Sequence, residues 1–317
     1  MDCYAADVGK RRQPGIYVEI LIRAPLERVW ELTQKPEVHQ RWDLRFSSIE
    51  YLPKSRESDP QRFLYETRIG AGLTIRGTGE SVAAHVAEDG SATSSLQFAS
   101  DDKLSLIREG AGYWRYIPTT EGLRFLTWYD YRVRFGAAGR LLDRLFRPVI
   151  GWATAWSFDR MRLWAERDTA PELSMRFAVV HALSRIAVAA VWLWHGLVPK
   201  LLFRDADERI MLAHVGLPES WLPWIGSAEI VMALLVLSTW RWRGMFVLQA
   251  LLMLVALLAV ALQSPHYLTH AFNPVTLNLL VVVLSFIGWI ASRDLPTASR
   301  CLRVDPRGAN RGAEPGL

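Results

Sequence analysis

His195, Lys200, Glu229 and Asn278 are polar side chains set in runs that otherwise read as hydrocarbon. The first two share the stretch VWLWHGLVPKLLF, Val191 to Phe203, with Gly196 and Pro199 between them. Glu229 lies seven residues into an apolar segment that starts at Leu222, about 10 Å of helix rise from its end. A carboxyl there costs several kcal/mol unless it is protonated or paired, which makes it a candidate site by default. On that reading Glu229 is a proton acceptor and His195 its partner or relay. The competing reading is a hydrogen-bonded cluster that fixes the packing of helices. For Lys200 the plainer expectation is that Pro199 ends the helix and the ammonium snorkels to the headgroups. Arg185 is expected to snorkel toward the opposite, cytoplasmic face, or else to be an ion-pair partner inside the bundle. His266 and His270 lack an acidic ligand in their loop, and no metal site is assigned.

Four segments must position these groups, and each has the length a bilayer crossing needs. They are residues 177–198, 222–240, 245–262 and 275–291. The third, MFVLQALLMLVALLAVAL, carries one polar side chain, Gln249. Arg167, Arg176, Arg241, Arg243, Arg293, Arg300 and Arg303 flank one side of the spans, and the loop QSPHYLTHAFNP on the other has no Lys or Arg. Both termini are therefore expected in the cytoplasm of a bacterial-type inner membrane, with residues 169–292 as a multi-pass domain.

The rest of the chain was composed for water. Residues 1–170 hold 25 Lys and Arg against 23 Asp and Glu, whereas residues 171–317 hold 12 against 9. The net charge of +5 gives no case for nucleic acid. Cys3 and Cys301 form no C-x-x-C, which speaks against dithiol redox chemistry. GIYVEILIRAP alternates as a strand, PLERVWELTQ follows as a helix, and six strand-like runs lead to a long helix over residues 137–166, with a kink anticipated at Pro148. The fold class is thus an α+β soluble domain over residues 14–168, an antiparallel sheet gripped by a long C-terminal helix, followed by an all-α four-helix membrane bundle. Residues 1–13 and 293–317 are expected to be disordered. Alternation puts Trp114 and Tyr116 on one strand face and Phe125 and Tyr129 on another, where, with Trp42, they are candidates to line an apolar pocket.

YVEILIRAPLERVWELTQKPEVHQRWDLRFSSIEYL resembles the SRPBCC (START-like, polyketide-cyclase-like) superfamily at Ala24, Pro25, Val29, Trp30 and Trp42. WLWHGLVPKLLF, DERIMLAHVGLP, GSAEIVMALLVL and NPVTLN resemble the DoxX-like family. The first resemblance implies a helix-grip fold that holds a hydrophobic small molecule or lipid. The second implies a four-helix membrane domain, some relatives of which associate with quinone-linked sulfur oxidation. The expected function is therefore an integral membrane protein whose cytoplasmic domain binds an apolar ligand. The alternative is a subunit or enzyme of quinone-linked electron transfer using the polar cluster, with a quinone as the only candidate cofactor. The expected partners are the lipid bilayer and the apolar ligand; whether a reaction is catalysed stays open.

Overall fold

The structure, a computed structural model, describes residues 15–306 apart from residues 71 and 272. The N-terminal segment expected to be disordered lies outside the described residues. Two compact units make up the chain: one ends at Glu172 and takes back the segment from Pro296 onward, and the other is Leu173–Leu295.

The first unit is a seven-stranded antiparallel sheet in the order β1-β7-β6-β5-β4-β3-β2. The strands are β1 Ile16–Ile22, β2 Ser48–Tyr51, β3 Gln61–Gly70, β4 Leu73–Val86, β5 Ala92–Ala99, β6 Ile107–Thr119 and β7 Gly122–Val133. Neighbours in sequence pair as hairpins, except β1, which pairs with β7. β1 and β2 therefore sit on opposite edges, and the chain between them crosses as two short helices, α1 Leu26–Gln34 and α2 Pro36–Trp42. Pro25 and Pro36 suit those helix starts, where a missing N–H is no loss. Register puts Trp114 opposite Thr127 and Tyr116 opposite Phe125, so the alternating apolar residues of β6 and β7 share one face.

The 32-residue helix α3, Gly136–Arg167, grips that face and stays helical through Pro148, whose ring is exposed. Its C-terminal half buries Thr154, Phe158, Met161 and Leu163. One expectation needs correction here. The start of the tail anticipated as disordered packs on this unit instead. Thr297 N donates to Asp159 Oδ2 at 2.7 Å, Cys301 Sγ donates to the Ala155 carbonyl, and Leu302 forms a two-way bridge to Glu19 on β1. Asp159 and Ala155 lie 138 and 146 residues upstream of their partners and Glu19 further still, beyond what local polarity can reveal.

Among the described residues, four helices are long and apolar enough to cross a membrane: Pro171–Leu202, Glu219–Ser238, Gly244–Gln263 and Pro274–Ala291. The first comprises α4, Pro171–His195, and a π-helical continuation, Gly196–Leu202. α5, Ala206–His214, follows, then α6 Leu222–Ser238, α7 Gly244–Gln263 and α8 Pro274–Ala291. Val188, Ala189, Ala233, Val236, Met245, Met253 and Val281 pack as the core of the second unit. Gln249, fully buried, accepts from Trp192 Nε1 and rests its amide on the sulfurs of Met232 and Met245.

Candidate functional site

Pro199 does not end the first membrane helix. A proline inside a helix has no N–H for the carbonyl four residues back and its ring crowds that carbonyl. Here the backbone widens into i→i+5 bonding, as in the Phe203 N to Val198 O bond of 3.1 Å, and the helix continues. The carbonyl four residues before Pro199 belongs to His195, and Lys200 Nζ reaches it at 3.4 Å.

Lys200 is 6% exposed, so the snorkelling expectation is corrected. Its ammonium lies 3.0 Å from Glu208 Oε1 on α5 and 3.1 Å from Glu229 Oε2 on α6. The α6 contact is made possible by two glycines. A methyl on Gly196 would meet the Gly226 carbonyl at 2.5 Å, and one on Gly226 would meet the Gly196 carbonyl at 2.7 Å. This small-on-small crossing brings Glu229, one turn beyond Gly226, against Lys200. Glu229 Oε2 is buried and close to the ammonium, yet no hydrogen is aligned on it.

Of the four predicted cluster members, the structure brings together Lys200 and Glu229. His195 contributes its carbonyl, while its half-buried ring makes no hydrogen bond among the described residues. Asn278, also half-buried, has no hydrogen bond or ion pair to the other three among the described residues. Glu208 is the member that sequence reasoning missed. Its signal was the DERIM stretch, an acidic helix start soon after the lysine.

Arg185 also departs from expectation. It is fully buried, donating to the Val236 carbonyl at 2.6 Å and the Trp242 carbonyl at 2.8 Å, and it lies 4.7 Å from the Phe246 ring centroid. It therefore closes the negative C-terminal end of α6, where a cation is favoured. At the far end of α6 and α7, His214 Nδ1 meets Ser264 Oγ at 2.7 Å, and the rings of His266, Tyr267 and His270 stack near it. No group of three metal-ligating side chains is found among the described residues.

In the first unit the five predicted pocket residues are all buried and packed as an aromatic core. Trp42 and Trp114 are 6.4 Å apart by ring centroid, Trp114 and Phe125 5.9 Å, and Phe125 and Phe158 4.7 Å. Trp42 Nε1 donates to the Leu32 carbonyl, and the Tyr116 hydroxyl meets Thr33 Oγ1 and Gln34 Nε2, so the core pins α1. Tyr129 bonds Thr154 across to α3. Threaded among these rings is a charged set: Asp43 accepts from Arg45 through both oxygens and meets His39 Nε2 at 3.0 Å. Burial alone would raise the Asp43 carboxyl, but the Arg45 guanidinium, with His39, holds it well below the usual range. Burial lowers His39 below its ordinary value, against the pull of Asp43.

Open space lies on the other side of α1. A groove of about 960 Å³ is lined by Leu26, Trp30, Val86, Ala92 and Pro118, with the Glu31–Lys35 ion pair of 3.0 Å on its rim. A smaller recess of about 490 Å³ shares Leu26 and Pro118 with it. Trp30, half-buried with its ring 5.0 Å from Tyr116, forms the wall between groove and core.

Comparison with known proteins gives three findings. The DoxX-like family model matches residues 189–286, the stretch that holds Lys200, Glu208 and Glu229. The uncharacterised membrane protein YndG of Bacillus subtilis is 45% identical over 215 residues, 67% of this chain and 78% of its own length. Among solved structures, a STAR-related lipid transfer protein from Xanthomonas axonopodis (15% identity, TM-score 0.36) covers 49% of this chain and 94% of its own. The Zhui aromatase/cyclase from a Streptomyces species (12% identity, TM-score 0.37) covers 49% and 98%.

Proposed function

The chain belongs to the family of the Bacillus subtilis membrane protein YndG, and from that premise we propose that it is a membrane-anchored binding protein for an apolar small molecule or lipid. The observation that carries this reading is the groove beside α1. Its 960 Å³ lies within the range of small-molecule sites, and Leu26, Trp30, Val86, Ala92 and Pro118 give it an apolar wall faced by Glu27, Glu31, Gln34 and Lys35. The SRPBCC-like sequence pattern supports the same ligand class. The 215-residue match to YndG is longer than either unit, so it reaches into both. In the cell the bundle sits in the bacterial inner membrane with both termini cytoplasmic, as the flanking arginines favour.

The test is native mass spectrometry of the full chain released from mild detergent, with extraction of bound molecules, followed by titration of a lipophilic fluorescent probe. Trp30→Ala should weaken probe binding about tenfold, the loss of one aromatic contact of roughly 1.5 kcal/mol. A protein that purifies empty and binds no probe, or a Trp30→Ala variant with unchanged affinity, sinks the reading.

A second reading is favoured by one observation, the Lys200 clamp on Glu208 and Glu229 inside the DoxX-like stretch. It makes the bundle a participant in quinone-linked electron transfer. Quinone-dependent turnover lost in Glu229→Gln supports it; unchanged turnover counts against it.

A further inference from the structure

We propose that Lys200, Glu208 and Glu229 form a proton-binding site, in which the two carboxyls hold one exchangeable proton beneath the lysine. This goes beyond the ligand reading and is independent of it.

The argument is a charge count joined to geometry. One ammonium faces two carboxylates, at 3.0 and 3.1 Å, with all three side chains less than a fifth exposed. Fully ionised, the set carries a net charge of −1 in a low-dielectric interior, a state that proteins avoid by neutralising a group. Two carboxyls that share a site ionise one at a time, and the proton belongs to the pair.

Among the described residues no second cation lies within ion-pair distance of either carboxyl. On α4 and its continuation, His195 gives its carbonyl to the ammonium, and its ring lies within electrostatic reach of Lys200 and Glu208. On α5, Arg209 is committed to Glu219 at 3.4 Å, His214 to Ser264, and Asp207 to the Tyr267 hydroxyl. α7 and α8 contribute the neutral Gln249 and Asn278. The ammonium lies within 3.4 Å of three oxygens, those of the His195 carbonyl, Glu208 and Glu229, and has no further partner to draw on among the described residues.

The measurement is infrared absorption of the full chain in detergent, following the C=O stretch of a protonated carboxyl and its shift in heavy water. At neutral pH one such band is expected, lost on alkalinisation. It should vanish in Glu208→Gln and also in Glu229→Gln, because either change leaves a balanced ion pair. Neither single variant should lower the melting temperature, whereas the double variant, with Lys200 alone, should lower it clearly. The absence of a band in the wild-type protein overturns the proposal, with no variant needed. So does a band that persists in both variants. A band lost only in Glu229→Gln also overturns it, since burial of one carboxyl would then be the whole cause. Glu208→Asp, which keeps the charge, should keep the band and guards against reading misfolding as discharge.

Discussion

Both units bury cations, and they balance them differently. In the soluble unit Arg45 is matched by Asp43, held through both carboxylate oxygens and flanked by His39. In the bundle Arg185 has no carboxylate partner among the described residues and is met by backbone carbonyls, while Lys200 has two carboxylates. The difference follows from the solvent each unit folds in. A domain that folds in water gains by closing each buried charge with its opposite before water is lost. A helix in a bilayer already carries partial charges at its ends, and these can serve as partners where no ion does. The division is not absolute: Arg160 in the soluble unit is also buried, and it too is met by backbone carbonyls, those of Arg41, Trp42 and Pro171.

The largest expected effect tests the matched case. Arg45→Met leaves the fully buried Asp43 carboxylate with His39 and the backbone N–H at position 45 as its remaining partners. Breaking a buried pair from one side costs about 3–5 kcal/mol. Thermal unfolding of the full chain, followed by tryptophan fluorescence, should show that loss in the soluble unit. A drop no larger than that of an exposed pair would mean the matching is not what holds Asp43.

The carbonyl-held cation comes next. Arg185→Lys keeps the charge but loses the fork that spans the Val236 and Trp242 carbonyls. One charge-assisted hydrogen bond should go, about 1.5–3 kcal/mol of bundle stability. If lysine serves as well as arginine, the charge matters there and the geometry does not.

How much of this was legible in the sequence depended on the distance over which each feature is assembled. The sheet and its closing helix were readable because alternation along β1, β6 and β7 is a local signal. Trp114 and Tyr116 on one strand and Phe125 on another were read as apolar faces and the register joins them, yet which faces are filled and which are open is decided by α1 and α3 together. The groove joins Leu26 and Trp30 to Val86 and Pro118, residues that no periodicity links. Glu229 was legible because a carboxyl in a hydrocarbon run is an anomaly by itself. Glu208 was not, since α5 brings it to Lys200 only once Pro199 has widened the helix rather than ended it. The tail on β1 was illegible for the same reason, its partners being remote.

The smallest effect is a slope, and it falls to His39. Its ring is buried against Trp42 and Trp114, which favours the neutral form, and Arg45 adds to that against the pull of Asp43. Its folded value therefore lies below the ordinary 6.5. The unfolded chain takes up the proton first, so stability is full above pH 6.5 and falls as pH drops toward the folded value. One proton limits the slope to about 1.4 kcal/mol per pH unit. Asp43, also depressed, gives up its share only as pH falls below its ordinary 3.8, so the loss that starts near pH 6.5 belongs to His39. His39→Gln, which keeps a donor for Asp43, should flatten the stability profile just below pH 6.5 and leave the acid limb in place. Parallel profiles for the two proteins would show that His39 holds its proton alike in both states. Burial beside Arg45 would then not disfavour the charged ring, and the contrast with the bundle would lose its simplest half.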